Sequence, residues 1–429
     1  MTTPTAGTDP NAAYNALYDA SIGVDGVPRR YERMRREHGA VAPVTIAPGL
    51  GAWLVIGHPE LLRVTRDEQD FSHDPRRWNL LREGRVPADS PVMPMVMYRP
   101  ALLYFDGQQH RRTRSAVAAA LARIDGHELR RTVRAAAERL IGGFATAGEA
   151  DLVTGYAQRL PLEVIMGLLG LDEATGQELV RALAGTVRAD AGSAAASRRM
   201  AEILMAHIVD RRRHPQHDLT SALLEHPAAL SDEEVLHNMA VIFVAGNQTT
   251  TNWIATTLRI LLCDPDFRSS VTAGRLSVDD ALDRVLWHFP PTQNFPARYA
   301  TRDLTLGGQH IRAGDMLVLG LAAANADPRV LPEDGVPVIG NRSHLAFGAG
   351  PHQCPAQDPA RLITRTAVDT VRRLLPDLEL AVPEPDLEWV VAPWSWGLAG
   401  LPVRFTAPTR HPEPTAVPGP TGPVRPRRP

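Results

Sequence analysis

The sequence predicts a mainly α-helical protein that carries small β-sheets. A helical pattern runs almost without interruption from residue 128 to residue 213. An unusually long apolar helix is predicted from a capping box at Ser231 to about Cys263. Two short apolar runs, 41–46 and 52–56, flank a Pro-Gly-Leu-Gly turn and predict a β-hairpin.

Composition limits the possible partners and locations. With 429 residues, of which 44% are hydrophobic, the chain can bury a large core. Lys and Arg (46) nearly balance Asp and Glu (48), so nucleic acid is not an expected partner. Residues 1–20 contain no long apolar run, so neither a signal peptide nor a membrane anchor is expected. Two cysteines cannot build a disulfide framework, which favours a reducing cytoplasm.

The two ends of the chain differ in character from its middle. Residues 1–28 are polar, small and rich in turn formers, and predict a flexible arm, followed by a basic helix over 28–38 that Pro28 starts. The stretch 75–100 shows no sustained period and predicts a long loop. Residues 394–403 are compatible with a terminal hairpin, and 407–429 are Pro-rich and predict a disordered tail.

The run F-G-A-G-P-H-Q-C, from Phe347 to Cys354, carries the strongest chemical signal in the chain. Its glycines and its proline force a tight irregular loop, because Gly reaches positive φ easily and Pro fixes φ. Cys354 precedes a predicted helix, whose N-terminus favours the thiolate form that binds metals. From spacing alone, a metal-binding thiolate and an inert buried thiol are both open.

Two further stretches carry basic or polar residues at suggestive spacings. His110 and Arg114 are four residues apart, so they share one face of a predicted Ala-rich helix. That face is either a solvated basic surface or a binding site for an anion, and Arg298 is by itself an ordinary strand arginine. Within the long helix, Gly246 and Thr249 favour a local bend, since Gly lowers helix stability and Thr can bond back to a carbonyl.

These motifs together resemble the cytochrome P450 family. The Cys354 run resembles the family's haem loop F-G-x-G-x-H-x-C-x-G, with Ala356 in place of the last Gly. The run from Asp106 to Arg114 resembles D-x-x-x-H-x-x-x-R, and the long helix carries a close match to A-G-x-[E/D]-T. The resemblance covers roughly residues 29–406. It implies a single P450 haem domain of soluble bacterial type.

The resemblance also implies the cofactor and the residues that bind it. The cofactor is haem b, iron protoporphyrin IX, with Cys354 as the axial thiolate of the iron. In this reading the haem lies between the long central helix and the helix that follows the Cys354 loop. The implied cofactor-binding residues, several of them partners of the haem propionates, are His110, Arg114, Arg298, Phe347, Gly348 and His352.

The implied function is that of a monooxygenase. A ferredoxin and ferredoxin reductase would supply electrons, and O₂ and a small organic, secondary-metabolite-like substrate would react. The implied catalytic residues are Ala245 and Gly246, which open a groove for O₂, and Thr249, which helps deliver protons. Gln248 stands where the family has an acid, and an amide cannot carry a proton as a carboxyl does.

The family's E-x-x-R signature is absent from this chain. Alignment on the Pro290-Pro291 pair puts Arg284 where the Glu belongs and Trp287 where the Arg belongs. The acid- and proline-rich segment at 331–341, which supplies the third partner of that network, is also shortened. Losing both partners together avoids leaving one buried charge unpaired. We expect aromatic packing through Trp287 to replace the ion pair.

Two alternatives to a monooxygenase follow from these departures. Gln248 and the missing signature are compatible with a haem-thiolate protein that is peroxide-driven, non-oxidative, or a non-catalytic binding or partner protein. A zinc site built from His344, His352 and Cys354 is a further alternative, although it gives Phe347 and the glycines no role. A mobile lid over the substrate pocket is expected near 191–194.

Overall fold

The computed structural model describes residues 15–17, 23–90, 92–187, 193–331 and 340–407. Residues 191 and 192 of the predicted lid at 191–194 therefore lie outside the described residues, whereas 193 and 194 begin a helix. Most of the shortened segment at 331–341 and nearly all of the predicted tail also lie outside the described residues. No helix within the described ranges is both long and apolar enough to cross a bilayer.

Helices dominate the described chain, as predicted. They are α1 (Gly23–His38), α2 (His58–Arg66), α3 (Asn79–Arg82), α4 (Met93–Val96), α5 (Gly107–Ala122), α6 (Gly126–Gly142), α7 (Arg159–Leu168), α8 (Glu173–Val187), α9 (Ser193–Arg213), α10 (Leu219–Glu225), α11 (Asp232–Cys263), α12 (Pro265–Thr272), α13 (Val278–His288), α14 (Leu321–Asn325) and α15 (Gln357–Leu374). The predicted fold class, mainly α with small β-sheets, is confirmed.

The strands are short and form separate small sheets. They are β1 (Asn15–Ala16), β2 (Val41–Ala47), β3 (Leu50–Val55), β4 (Phe71–Ser72), β5 (Glu149–Asp151), β6 (Asn294–Ala300), β7 (Leu304–Leu306), β8 (Gln309–Ile311), β9 (Met316–Gly320), β10 (Glu379–Leu380), β11 (Trp389–Val391), β12 (Trp396–Leu398) and β13 (Pro402–Arg404). The largest sheet has the order β1-β2-β3-β9-β6-β4, and β10-β13-β5, β11-β12 and β7-β8 form the others. The predicted β2–β3 hairpin is confirmed, with antiparallel pairing.

The long helix α11 organises the interior. Its predicted start is confirmed: the Ser231 hydroxyl accepts from the Glu234 N–H at 3.1 Å, and the Glu234 carboxylate accepts from the Ser231 N–H at 2.9 Å. Toward its C-terminus, buried side chains such as Trp253 and Leu258 share a hydrophobic core with α15. Toward its N-terminus, residues such as Phe243 belong to a different core, which α9 and α10 also line. The helix therefore runs from one core into another.

The N-terminal arm predicted over 1–28 is wrong in part. Asn15 and Ala16 pair in parallel with β2, and the Leu17 N–H donates to the Thr45 carbonyl at 2.8 Å. Leu17 is also buried, so backbone pairing and apolar burial together anchor this stretch. Helix α1 begins at Gly23, upstream of the predicted start, and Pro28 lies inside it. The remainder of 1–22 lies outside the described residues.

Two other local predictions are corrected. The terminal hairpin over 394–403 does not form, because β12 pairs with β11 whereas β13 pairs with β5 and β10. A hairpin does form nearby, but it joins β11 to β12 across residues 392–395. The partners of β13 are more distant in sequence, so local turn signals do not reveal them. The predicted loop over 75–100 contains the short helices α3 and α4.

Candidate functional site

The Cys354 loop has the tight backbone that its sequence predicts. Gly348 and Gly350 adopt φ values of +70° and +71°, a region that residues with a side chain rarely occupy. A Cβ atom at Gly350 would also collide with the backbone of Thr65 in α2. The Cys354 N–H donates to the Phe347 carbonyl at 2.8 Å and closes the loop. The two glycines thus allow the loop to turn back, so that Cys354 reaches the Phe347 carbonyl.

The environment of the Cys354 thiol contains opposing influences. Burial raises its pKa, whereas a hydrogen bond from the Ala356 N–H and the charge of Arg114 lower it. Burial is the largest of these effects, so the thiolate bias expected from the helix N-terminus does not prevail in the protein alone. A bound metal would reverse this balance, because coordination deprotonates a thiol outright. Pro355 has no N–H to donate, which leaves Ala356 as the donor to the sulfur.

The predicted basic residues come together next to this loop. The His110 and His352 rings stack with centroids 3.7 Å apart. His110 and Arg298 are almost fully buried, at 1% and 3% exposure. Both ring nitrogens of His110, Nε of Arg298, one terminal nitrogen of Arg114 and Nε2 of His352 lack a hydrogen-bond partner. Four residues from three separate segments therefore present unpaired donors at one place.

His73 is a member of this cluster that the sequence analysis missed. Its ring stacks on His352 with centroids 3.3 Å apart, and its Nδ1 lies 2.8 Å from the Asp106 carboxylate. Its Nε2 is buried without a partner. His73 directly follows β4, and a single histidine after a short strand carries no sequence signal for this position. Asp106 also accepts from the His73 N–H and from Ser72.

The electrostatics of this basic cluster indicate a missing anion. Burial and the nearby Arg114 lower the pKa of His110 to about 4, and burial lowers the pKa of Arg298 to about 10. Burial likewise lowers the pKa of His73 and of His352, which also lie close to each other and to Arg298. Buried polar groups normally have hydrogen-bond partners, so this many partnerless groups require a bound acceptor. A ligand with carboxylate groups close to a thiolate-bound metal fits them, as the propionates of haem would.

We expect the cofactor-free protein to lose stability as the pH falls. The unfolded chain protonates His110 below about 6.5, whereas the folded chain does so only below about 4. Between these values the unfolded state binds more protons, so the free energy of unfolding decreases as the pH decreases, by up to about 1.4 kcal/mol per pH unit for each such histidine. Thermal midpoints measured across this window will check it. The haem-loaded protein is the control. Its midpoint should depend less on pH, since propionates favour the protonated rings. A pH-independent midpoint in the cofactor-free protein would contradict the prediction.

Helix α11 carries the remaining predicted site residues. It is continuous through Gly246, and the Thr249 hydroxyl donates to the Ala245 carbonyl at 2.6 Å, as its predicted back-bonding requires. A Cβ atom at Gly246 would approach Ile165 of α7 to 2.9 Å, so the helix packs closely here. The Gln248 amide donates to the Asn252 side chain at 3.1 Å. The polar groups at this position are therefore a hydroxyl and two amides.

Trp287, which the alignment on Pro290-Pro291 puts at the arginine position of E-x-x-R, is a buried residue of α13 and packs against the approach to the Cys354 loop. Its indole N–H donates to the Asn341 carbonyl at 2.8 Å. Its ring meets the His344 ring edge-on at 6.0 Å, and His344 in turn lies 5.8 Å from Phe347. These contacts support the expectation that aromatic packing occupies this place. Arg284, at the position of the missing Glu, instead pairs with Asp264 at 2.9 Å.

The zinc alternative is not supported. The described residues do contain groups whose ligand atoms lie within 4.8 Å of one another, namely Glu68, His110 and His352, and His73, Asp106 and His352. Neither group includes Cys354 or His344, so the three ligands of the proposed zinc site are not brought together. Both groups join histidines of the basic cluster to an adjacent carboxylate, Glu68 in one group and Asp106 in the other.

Comparison with known proteins gives consistent relatives. Cytochrome P450-SU2 of Streptomyces griseolus is 31% identical over 390 residues, which cover 89% of this chain and 94% of that protein. The mycinamicin IV hydroxylase/epoxidase of Micromonospora griseorubida is 30% identical over 367 residues, covering 83% of this chain and 90% of that protein. Among solved structures, CYP154C4 from Streptomyces sp. matches with a TM-score of 0.85 and 27% identity, covering 92% of this chain and 99% of that chain. No family model matches the chain.

Proposed function

The chain belongs to the cytochrome P450 family, and from that membership we propose a role for each residue of its site. It is a haem-dependent monooxygenase that acts on a small organic substrate. The observation that carries the assignment of roles is the set of partnerless buried donors next to the Cys354 loop. When bound, haem supplies the activation of O₂ and the transfer of an oxygen atom, and the chain supplies ligand, binding and protons.

The cofactor-binding roles follow from the contacts of the cluster. Cys354 provides the thiolate ligand, and the Ala356 N–H bonded to its sulfur tunes that ligand. His110, Arg114, Arg298 and His352 would hold haem b through its propionates, and charge-assisted bonds of this kind are strong. Phe347 and Gly348 form the part of the loop that cradles the cofactor. His73 joins the four donors through its free Nε2 and is oriented by Asp106.

His73→Phe is expected to release haem about tenfold faster, because it removes one charge-assisted bond while keeping a ring on His352. The measurement is the rate of haem transfer to apomyoglobin. His214→Phe, at an exposed position, is the control and should leave the rate unchanged. An equal transfer rate in His73→Phe and the wild type would remove His73 from the site.

On the α11 side, Ala245 and Gly246 would line the O₂ site, and Thr249 and Gln248 would position protons. The Thr249 hydroxyl donates to Ala245 and keeps lone pairs free to accept a proton donor. Gln248 can hold a water molecule but cannot ionise, so a proton must pass through water rather than through a carboxyl. Slow proton delivery favours loss of reducing equivalents without product.

Gln248→Glu is therefore expected to raise the ratio of product formed to NADPH consumed by about tenfold. The Asn252 amide can turn to donate to the new carboxylate, so the change fits the existing contact. Gln248→Met, which has similar size and no acid, is the matched control and should not raise the ratio. An unchanged or lower ratio in Gln248→Glu would show that proton delivery does not pass this position.

The proposed partners follow from the bacterial relatives. A ferredoxin with its reductase is the proposed electron donor, and a secondary-metabolite-like molecule is the proposed substrate. A cytoplasmic location is supported by Cys263 and Cys354, both of which are unpaired thiols.

Two measurements test the proposal. The reduced, CO-bound protein should show the shifted Soret band of thiolate ligation, and its absence from freshly prepared protein would overturn the role of Cys354. Ferredoxin, reductase and NADPH together should then yield an oxidised product. Product formed only with peroxide would instead support the peroxide-driven alternative that Gln248 suggests.

A further inference from the structure

Asp283 is a buried carboxylate in α13, with 2% of its surface exposed. Arginines from two separate segments reach it. Arg361 of α15 donates to Oδ1, and Nε of Arg342 lies 3.3 Å from Oδ2. A buried carboxylate is strongly unfavourable without partners. Asp283 therefore stabilises the arrangement in which the segments of Arg361 and Arg342 both contact it.

This contact belongs to a set of ion pairs between α13 and α15. Asp279 and Asp283 lie four residues apart on one helix, and Arg361 and Arg365 lie four apart on the other, so each pair shares a face. Arg365 lies 3.0 Å from Asp279, and Arg361 lies 3.5 Å from the same carboxylate. The Asp283–Arg361 pair is the more buried, with side-chain exposures of 3% and 16% against 21% and 50% for Asp279 and Arg365. It is the pair that water screens least.

The two arginines flank the Cys354 loop. Arg342 lies in the segment that enters the loop, and Arg361 lies in the helix that leaves it. Arg361 also lies over the Trp253 ring at 5.6 Å, and that ring meets Phe347 of the loop edge-on at 5.7 Å. One carboxylate therefore holds both flanks of the loop, and through Arg361 it is connected to the central helix.

We propose that Asp283 is a positioning residue that holds the Cys354 loop. It supplies the charged contacts that the E-x-x-R pair would make, whereas Trp287 fills the space of that pair by aromatic packing. The charges are arranged differently from those of E-x-x-R. The acid lies on α13, one residue before the position of the missing glutamate, and the arginines lie on the two flanks of the loop. The inference rests on the proposed function, because the loop is held in order to keep the Cys354 thiolate facing the iron. Without this restraint the two flanks of the loop are free to move apart, and Cys354 is no longer held in one position.

The test compares Asp283→Asn with the wild-type holoenzyme. Asp283→Asn is expected to convert the thiolate Soret band of the reduced, CO-bound protein to the band of a protonated thiol, and to speed haem transfer to apomyoglobin about tenfold or more, as for other groups that orient metal ligands. Asp283→Glu, which keeps the charge, should recover most of the thiolate band. Arg342→Gln alters a side chain that is 59% exposed, so we expect this variant to fold. Because exposed ion pairs are weak, it should speed haem transfer about threefold.

Arg284→Gln is the matched control. It changes the neighbouring residue and breaks a pair with Asp264 that does not touch the loop, so its spectrum and transfer rate should equal those of the wild type. If Asp283→Asn does not fold, Arg342→Gln decides. Wild-type spectra and rates in the folded variants, or an equal effect in Arg284→Gln, would overturn the inference alone. A wild-type protein without the thiolate band would overturn the proposed function and this inference with it.

Discussion

Cys354→Ser is expected to abolish the thiolate Soret band and to reduce monooxygenase turnover to background. A serine hydroxyl does not ionise near neutral pH, so it cannot replace a thiolate that donates electron density to iron. Some haem should still bind, because the basic cluster around His110 and Arg298 does not depend on the sulfur. The measurements are the reduced CO spectrum, the haem content and the rate of product formation.

Cys263→Ser is the matched control for this change. Cys263 is the other cysteine of the chain, and burial raises its pKa to about 12, so it stays a thiol. Its replacement should leave the spectrum and the turnover unchanged. A thiolate band that survives in Cys354→Ser but is lost in Cys263→Ser would show that the ligand had been assigned to the wrong cysteine.

Trp287→Ala is expected to lower the free energy of unfolding by about 3–5 kcal/mol and to reduce haem retention, because it removes a large buried ring. The cavity would open between α13 and His344, which contacts Phe347 of the Cys354 loop. The Asn341 carbonyl would also lose its donor. The measurements are the denaturant midpoint and the haem content after purification.

Trp287→Phe separates the contribution of the buried aromatic ring from that of the indole hydrogen bond. It keeps an aromatic ring against His344 and removes only the indole N–H, whose hydrogen bond contributes about 0.5–1.5 kcal/mol. We therefore expect a clearly smaller loss of stability than in Trp287→Ala. Wild-type stability and haem content in Trp287→Ala would refute the idea that this ring replaces the missing ion pair.

Much of the fold could be predicted because it depends on local signals. The capping box at Ser231 marks the start of α11, and the glycines at 348 and 350 mark a loop that only Gly accommodates. Residue type and spacing at Cys354 left a metal ligand and an inert thiol both open, and the resemblance to the cytochrome P450 haem loop favoured the ligand. Such features depend on the chemistry of neighbouring residues, so a sequence can display them.

Local signals failed where distant partners decide the structure. Leu17 and its neighbours belong to a sheet rather than a loose arm because Thr45 accepts their hydrogen bond. Strand β13 pairs with β5 and β10, so it does not form the predicted hairpin with β12, which pairs with β11. Both corrections concern short segments whose own propensity is weak, so tertiary contacts override it.

The sequence by itself determined the cysteine loop, the long central helix and the departures at Gln248 and Trp287, since each depends on residue type at a fixed spacing. Only the tertiary structure decided that His73 joins the basic cluster and that Asp283 holds both flanks of the loop. The physical reason is burial. Whether an ordinary histidine or aspartate is functional depends on which distant donors and acceptors surround it once water is excluded, and folding alone brings those groups together.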